Sequence, residues 1–348
     1  MSGKRKKHII VIRLSAMGDV AMTVPVLRAL ILQNPNVKVT VVSRSTFSPF
    51  FEGIPRVQFF PADVEGRHKG FFGLIRLYNE LKRLKVYAVA DLHNVLRSKI
   101  VTTLFSSRGK KTATADKARD EKRALTRATN KIFKPLQPVT QRYAEVFKKL
   151  GFSIDFTDPV FPHKEELTDD ILGITGVKQT TWIGIAPFAQ HRSKIYPLDL
   201  MRRVIEALAE NKHNTIFLFG GGKTEINTLD GFAKGFDNII VVAGRLKLKQ
   251  EVKLISHLDV MLSMDSGNAH IAAMQGVKVV TLWGATHPYA GYAPYNQPLE
   301  NALTANRKEY PLLPTSVYGN KKVEGYEDAM RTITPEAVVN KIIEVLSK

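Results

Sequence analysis

Met264-Asp265-Ser266-Gly267-Asn268-Ala269-His270, inside the stretch Val260–Trp283, is the segment whose reading decides the fold. Before it, Asp259-Val260-Met261-Leu262-Ser263 is a short apolar run of the kind a buried strand carries. After it, Ile271-Ala272-Ala273-Met274-Gln275 can start a helix that Gly276 is placed to end, and Lys278–Leu282 reads as the next strand. A polar segment at such a strand-to-helix turn lies on the carboxyl edge of a parallel sheet, where open α/β sheets bind ligands. Asp265 and Ser266 are good cap residues, and Gly267 lets a ligand approach the backbone closely. Free N–H groups and the positive helix end make this turn attractive to a phosphate. An ordinary capped helix with His270 satisfied in the interior accounts for the same residues equally well.

The pattern recurs at the other end of the chain. His8–Leu14 is a strand, Ser15-Ala16-Met17-Gly18-Asp19 a small-residue turn, and Val20–Gln33 has helical spacing. Strands at Lys38–Ser43, Val57–Phe60 and Tyr87–Asp91 alternate with helices at Gly70–Arg83 and Leu96–Phe105. Alternation of this kind predicts a parallel, doubly wound sheet. A helix over Gln141–Leu150 closes at Gly151, and Asp155–Pro162 has the proline and turn content of a linker. From Thr181–Ala186 onward the alternation resumes, without an obvious sequence repeat. The expectation is an α/β protein of two domains, 1–157 and 163–348. Thr334-Pro335-Glu336 opens a final helix, which either stays with the second domain or packs back on the first. Ala290–Lys322, rich in Tyr, Pro and Asn, shows no regular pattern.

Arg13-Leu14-Ser15-Ala16-Met17-Gly18-Asp19-Val20 with Thr23-Val24-Pro25-Val26-Leu27, taken together with the late Asp265-Ser266-Gly267-Asn268-Ala269-His270-Ile271-Ala272-Ala273, resembles glycosyltransferase family 9. The best-known members of that family are the lipopolysaccharide ADP-heptose heptosyltransferases. The two motifs together are specific, and the resemblance spans residues 8 to 290. It implies a GT-B fold, two Rossmann-like doubly wound domains facing a cleft, with the acceptor on the first and the nucleotide-sugar on the second. The implied activity is inverting transfer of a sugar, heptose from ADP-heptose, to an anionic lipopolysaccharide-core acceptor.

Residue by residue, the resemblance gives Asp19 the role of general base, although a near-cap Asp at a helix start needs no such role. A carboxylate is a weak base at neutral pH. That suits late proton removal, after the donor bond has largely broken in an oxocarbenium-like transition state. Lys194, just before Tyr196-Pro197 in the loop from Pro187, is the implied contact to the donor diphosphate. A fixed cation there stabilises charge that grows on the leaving group. Phe219-Gly220-Gly221-Gly222-Lys223-Thr224-Glu225 fails as a phosphate loop of the Walker type, because Phe217 stands where a glycine is needed. By resemblance, Glu225 faces the donor ribose and Leu246 borders the base, with Pro187, Asp265, Ser266, Gly267 and His270 completing the donor site. Ser15 and Gly18 are expected on the acceptor side, together with Lys117, Lys122, Arg123 and Arg127 from the basic stretch 108–134. That stretch also reads as a solvated surface loop or helix.

Bulk composition sets the outer limits. The 348 residues suffice for about two cores, with 44% hydrophobic and 24% charged residues. Without cysteine, no disulfide and no thiolate metal site can form. No Asp-x-Asp follows a strand, and no His/carboxylate cluster has metal-ligand spacing, so neither metal nor other cofactor is expected. The N-terminal apolar run is too short for a signal peptide, and no segment approaches the ~20 apolar residues of a membrane span. The expected location is the cytoplasm, with peripheral attachment to the inner leaflet an option. With 51 basic against 32 acidic residues, the net charge of +19 calls for anionic partners. Rival readings are a GT-B transferase using a different nucleotide-sugar, or a non-catalytic binder of anionic glycolipid or nucleic acid. No helix-turn-helix, zinc finger or RNP-like aromatic pattern supports the nucleic-acid reading.

Overall fold

The structure, a computed structural model, describes residues 6–348. It falls into two units: residues to 117 with 139–162, and residues 118–138 with 163–348.

In the first unit, β1 (Lys7–Ile12), α1 (Met17–Ala21), α2 (Thr23–Gln33), β2 (Val37–Ser43), β3 (Val57–Pro61), α3 (Gly70–Leu81), β4 (Ala88–Asp91), α4 (Leu96–Ser106) and β5 (Lys111–Thr114) follow in order. After α5 (Arg119–Thr126), which belongs to the second unit, α6 (Val139–Lys149) completes the first. Five parallel strands pair in the order β3-β2-β1-β4-β5. β1 is the central strand and buries Ile9, Ile10, Val11 and Ile12 completely, as strands covered on both faces do. On one face Ile10, Ile12, Val42 and Val89 form a core with Leu74, Leu77 and Leu81 of α3 and Val101 and Phe105 of α4. The apolar spacing of α3 and α4 is therefore the imprint of this sheet face.

The second unit continues with α7 (Asp169–Thr175), β6 (Thr181–Ala186), α8 (Leu198–Glu210), β7 (Asn214–Leu218), α9 (Lys223–Ala233), β8 (Ile239–Val241), α10 (Leu248–Ile255), β9 (Val260–Met264), α11 (Gly267–Met274), β10 (Lys278–Trp283), β11 (Ala302–Thr304) and α12 (Pro335–Ser347). Its six strands run parallel in the order β11-β10-β9-β6-β7-β8. Counted from each unit's own first strand, both sheets follow the dinucleotide-fold order 3-2-1-4-5, and the second adds a sixth strand. The order reverses between β1 and β4 in the first unit and between β6 and β9 in the second. A crevice for ligands is expected at the carboxyl end of each pair. Gly276, at φ +80°, ends α11 as its position in the sequence predicts.

One expectation is revised, and one alternative left open by the sequence is resolved. The first domain does not run unbroken to residue 157, because 118–138 folds with the second unit. Leu125 and Leu136 are buried against Ala290, and the Leu136 N–H donates to the Tyr289 carbonyl at 2.9 Å. A stretch so rich in charge hid its apolar anchors, spaced too widely to register as a helix stripe. The last helix stays with its own unit: α12 packs on α8, β9 and β10 through Val338, Ile342 and Val345. The 155–162 linker holds no helix or strand, and its start is tied to α2 by two hydrogen bonds between the Gln33 amide and the Asp155 backbone, 2.7 and 2.9 Å.

Candidate functional site

Asp19 lies in the first turn of α1, just past the carboxyl end of β1, at the reversal point of the first sheet. Its Oδ2 is ion-paired with the Arg13 guanidinium and accepts from the Ala16 N–H at 3.4 Å. Arg13 is fixed: it is 8% exposed, donates to the Leu92 carbonyl at 2.8 Å, and lies over the Tyr143 ring. Asp19 retains 23% side-chain exposure. The neighbouring strand end, after β4, contributes Asp91 and His93. Asp91 is fully buried and accepts from the N–H groups of His93 and Asn94 at 2.9 and 2.8 Å and from the Ser98 hydroxyl at 3.0 Å. Burial pushes its carboxyl above the usual range. Burial, and then the Arg13 charge, pushes the His93 ring down to about 3. A neutral imidazole and a fixed guanidinium thus stand beside the Asp19 carboxylate, which stays partly exposed. Ser15 and Gly18 flank it, both half-buried.

Sequence reading gave no role to Arg13, Asp91 or His93. The signal for Arg13 was there: one charge in the otherwise apolar run after His8. Asp91, His93 and Asn94, polar residues at and just after a strand end, stood at the same kind of edge as Asp265.

The second unit repeats the arrangement with its own residues. Lys194 stands in the loop after β6, and Asp265 at the end of β9, the strand paired with β6. That pairing brings Lys194 Nζ to 3.0 Å from Asp265 Oδ2, both side chains largely buried, 13% and 9% exposed. Ser266 is the residue before α11, but its hydroxyl bonds Ser263 Oγ at 3.0 Å instead of capping the helix. Ser266 makes no side-chain cap to the first N–H groups of α11, which in any helix lack intrahelical partners. Gly267 opens that helix and His270 is buried one turn on. An ammonium beside uncapped helix N–H groups is a site for a diphosphate. Tyr196 anchors the loop: it is fully buried, donates from its hydroxyl to the Ile333 carbonyl at 2.6 Å, and burial pushes it to about 12. Pro187 is buried at the start of the loop. Glu225 folds back on its own turn, with Oε2 accepting from the Gly221 N–H at 2.8 Å. Leu246 is buried in the turn after β8.

The segment 290–322, opaque in the sequence, supports Lys194. The Ser193 hydroxyl donates to the Gly319 carbonyl at 2.6 Å. The buried Ser316 hydroxyl accepts from the Gly319 N–H at 2.9 Å and reaches Asn320 Oδ1 at 3.1 Å. Gly319 has φ +83°, and a Cβ there would stand 2.5 Å from Lys194 Cδ. A glycine is needed both for the turn and for the lysine stem lying across it.

The basic stretch is not one surface. Lys117 ends the first unit and presses its charge on His93, as does Arg97. Lys122, Arg123 and Arg127 belong to the second unit, so they do not share a unit with Asp19 as expected. Lys122 is 6% exposed, donates to the Tyr292 hydroxyl at 2.8 Å, and lies 4.4 Å from that ring's centroid. A cation enclosed this way is not an open clamp for an anion. Arg127 donates to the Asn130 carbonyl at 2.7 Å, and exposed Arg123 pairs with Asp120 at 3.3 Å. Among the described residues, no group of three or more His, Asp or Glu is arranged to hold a metal ion.

Comparison with known proteins agrees with this architecture. The model of glycosyltransferase family 9 (heptosyltransferase) matches residues 74–322. The lipopolysaccharide core heptosyltransferase OpsX of Haemophilus influenzae is 23% identical over 347 residues, covering 97% of this chain and 96% of that protein. Lipopolysaccharide heptosyltransferase 3 of Escherichia coli K12 is 25% identical over 178 residues, covering 50% of this chain and 51% of that one. A glycosyl transferase family 9 structure from Veillonella parvula superposes with a TM-score of 0.75 at 20% identity, covering 99% of this chain and 98% of that one. The E. coli heptosyltransferase WaaC with ADP gives 0.66 at 20% identity, covering 97% and 99%. The structural likeness establishes the GT-B fold class.

Proposed function

This chain belongs to glycosyltransferase family 9, and on that premise we propose that it moves a heptose from ADP-heptose to an anionic lipopolysaccharide-core acceptor, with inversion and without a metal. The donor class is supported by a relative named as a lipopolysaccharide core heptosyltransferase and by a fold neighbour crystallised with ADP. One observation carries the mechanism: Lys194, paired with Asp265, stands at the uncapped start of α11 on the reversal point of the second sheet.

Asp19 takes the proton of the acceptor hydroxyl as its oxygen bonds to the anomeric carbon. The bond from that carbon to the diphosphate oxygen breaks on the opposite face, so configuration inverts. The electron pair leaves with the nucleoside diphosphate. Lys194 and the α11 N–H groups take up the growing negative charge, the part a metal plays in other transferases. A bound diphosphate would share the Lys194 ammonium with Asp265. The enzyme works in the cytoplasm, attached peripherally to the inner leaflet where such an acceptor is anchored.

Thermal melts with a panel of nucleotide-sugars test the donor assignment, since a ligand bound only by the native state raises Tm by mass action. ADP-heptose is expected to give the largest shift, and NMR of the product to show the inverted anomer. A larger shift with another nucleotide-sugar would keep the transferase and replace the donor. No shift with any of them would overturn the reading.

A further inference from the structure

α3 opens with two aromatic residues turned outward. Phe71 is 59% exposed and Phe72 84%, and the rings meet edge to face at 5.8 Å. Residues of this size are ordinarily buried, and an adjacent exposed pair marks an interaction surface.

The pair is held out by a rigid turn. Asp63 accepts through its two carboxylate oxygens from the N–H groups of Gly66 and Arg67, both at 2.8 Å. The buried His68 ring accepts from the Asp63 N–H at 3.1 Å, and Arg67 pairs with Glu80 at 2.5 Å. Gly73 lets the helix close onto this turn: a Cβ there would lie 2.4 Å from the His68 carbonyl carbon. The rings are presented by a built structure and not by a loose loop.

Their surroundings select the partner. Lys69 and Arg76 are exposed beside them, Arg76 one turn along the helix from Phe72. α4 packs on α3 and opens with Leu96, 75% exposed, followed by exposed Arg97 and Lys99. Among the described residues, none of these four cations is in an ion pair with a carboxylate. Each helix follows a parallel strand and runs back to the start of the next, so both begin at the carboxyl edge of the sheet. That edge also carries Asp19. Apolar tips among unpaired cations match a layer whose surface is anionic and whose interior is apolar.

We propose that the starts of α3 and α4 form a membrane-docking wedge, with Phe71, Phe72 and Leu96 entering an anionic leaflet and Lys69, Arg76, Arg97 and Lys99 meeting its headgroups. A polybasic surface alone binds reversibly and is screened by salt, whereas inserted rings make binding persist.

The test uses vesicles of phosphatidylcholine with or without phosphatidylglycerol, containing neither acceptor nor nucleotide-sugar, so its outcome is independent of the transferase reading. The native Trp182 and Trp283 are each 1% exposed, which leaves room for a reporter at Phe72→Trp. The new emission should shift to the blue and be quenched by brominated acyl chains only when phosphatidylglycerol is present. The double variant F71S/F72S should lose ~10-fold or more in partitioning, the scale of one buried aromatic ring, with its Tm unchanged. A triple variant K69S/R76S/K99S should bind more weakly and with a flatter salt dependence. Two results overturn the proposal: vesicle binding by F71S/F72S equal to wild type, or a wild-type self-association that F71S/F72S abolishes, which would make the pair a contact between copies of the chain.

Discussion

The reversal points of the two sheets use the same pairing with the charges exchanged. In the first unit the cation is the fixture: Arg13 comes from the strand side, is 8% exposed, and is bound to the Leu92 carbonyl, while Asp19 stands on the helix and retains 23% exposure. In the second the acid is the fixture: Asp265 directly follows β9 with a side chain 9% exposed, and Lys194, 13% exposed, reaches it from a loop. One edge therefore offers a carboxylate and the other an ammonium. Each is restrained by a buried partner of opposite sign, which preorganises it for a charge that appears during reaction. The lesson is that an ion pair at a ligand edge should be read for which member is fixed.

The largest effect should come from removing the offered carboxylate. Asp19→Asn keeps the side-chain shape and a hydrogen-bonding partner for Arg13, yet turnover should fall by ~10²–10⁴, the scale of general-base catalysis. Donor affinity, read by calorimetry, should stay nearly unchanged. Wild-type turnover in this variant would reduce Asp19 to a residue of the α1 start.

Removing the offered ammonium should cost somewhat less. Lys194→Ala is expected to lower kcat by ~10² with a smaller rise in donor KM, since the charge is needed most as the diphosphate departs. Magnesium should not restore the rate, and wild-type activity should survive EDTA. Full loss in EDTA would overturn the metal-free mechanism.

The support of that lysine gives a third test. Gly319→Ala places a methyl where the Lys194 stem lies and strains a backbone at φ +83°. Displacing a charged group by a fraction of an ångström should lower kcat about 10-fold. If Gly319 acts through Lys194, the same change in a Lys194→Ala background should leave the remaining rate unaltered, a non-additivity that general destabilisation would not produce.

How much of this the sequence discloses depends on distance along the chain. The alternation of strands and helices and the two edge turns are local patterns, and they read correctly as elements; Asp19, Lys194 and Asp265 were singled out from the same local patterns and stand at those turns. The Lys194–Asp265 contact follows from the order of strands, which places β9 beside β6. Gly319 was invisible because its role depends on the side chain of a residue far away in the chain. Lys122 misled for the same reason, since the rings that enclose it come from Tyr292 and Tyr318.

Lys122 shows what a cation without an offered face does. Lys122→Ser should cost about 1–3 kcal/mol of stability, because a buried charge and its hydrogen bond to the Tyr292 hydroxyl are removed. Arg123→Ser, next to it and exposed, should fall within about ±0.5 kcal/mol. Urea titrations of the two variants decide whether burial, and not the charge run as a whole, sets the role. Equal stabilities would return Lys122 to the surface.

The smallest effect concerns the neutral ring in the first unit, and its sign can be worked out. His93 titrates at about 3 in the folded chain because burial, and then Arg13, disfavour the imidazolium, whereas an unfolded chain protonates it near the ordinary histidine value of 6.5. Between these values the unfolded state binds more protons, so stability falls as pH falls. The contribution is fully present above 6.5 and is lost progressively down to about 3. Asp91, whose carboxyl is raised by burial, holds its proton longer in the folded chain and works in the opposite direction. The test is therefore the difference between wild type and His93→Asn in urea midpoints taken at several pH values below neutrality. The variant should lose less stability on acidification, while above pH 7 the gap between the two should be constant. A gap that does not change with acid would mean that His93 is protonated in the folded enzyme, and the carboxyl edge of the first sheet would then carry a second cation facing Asp19.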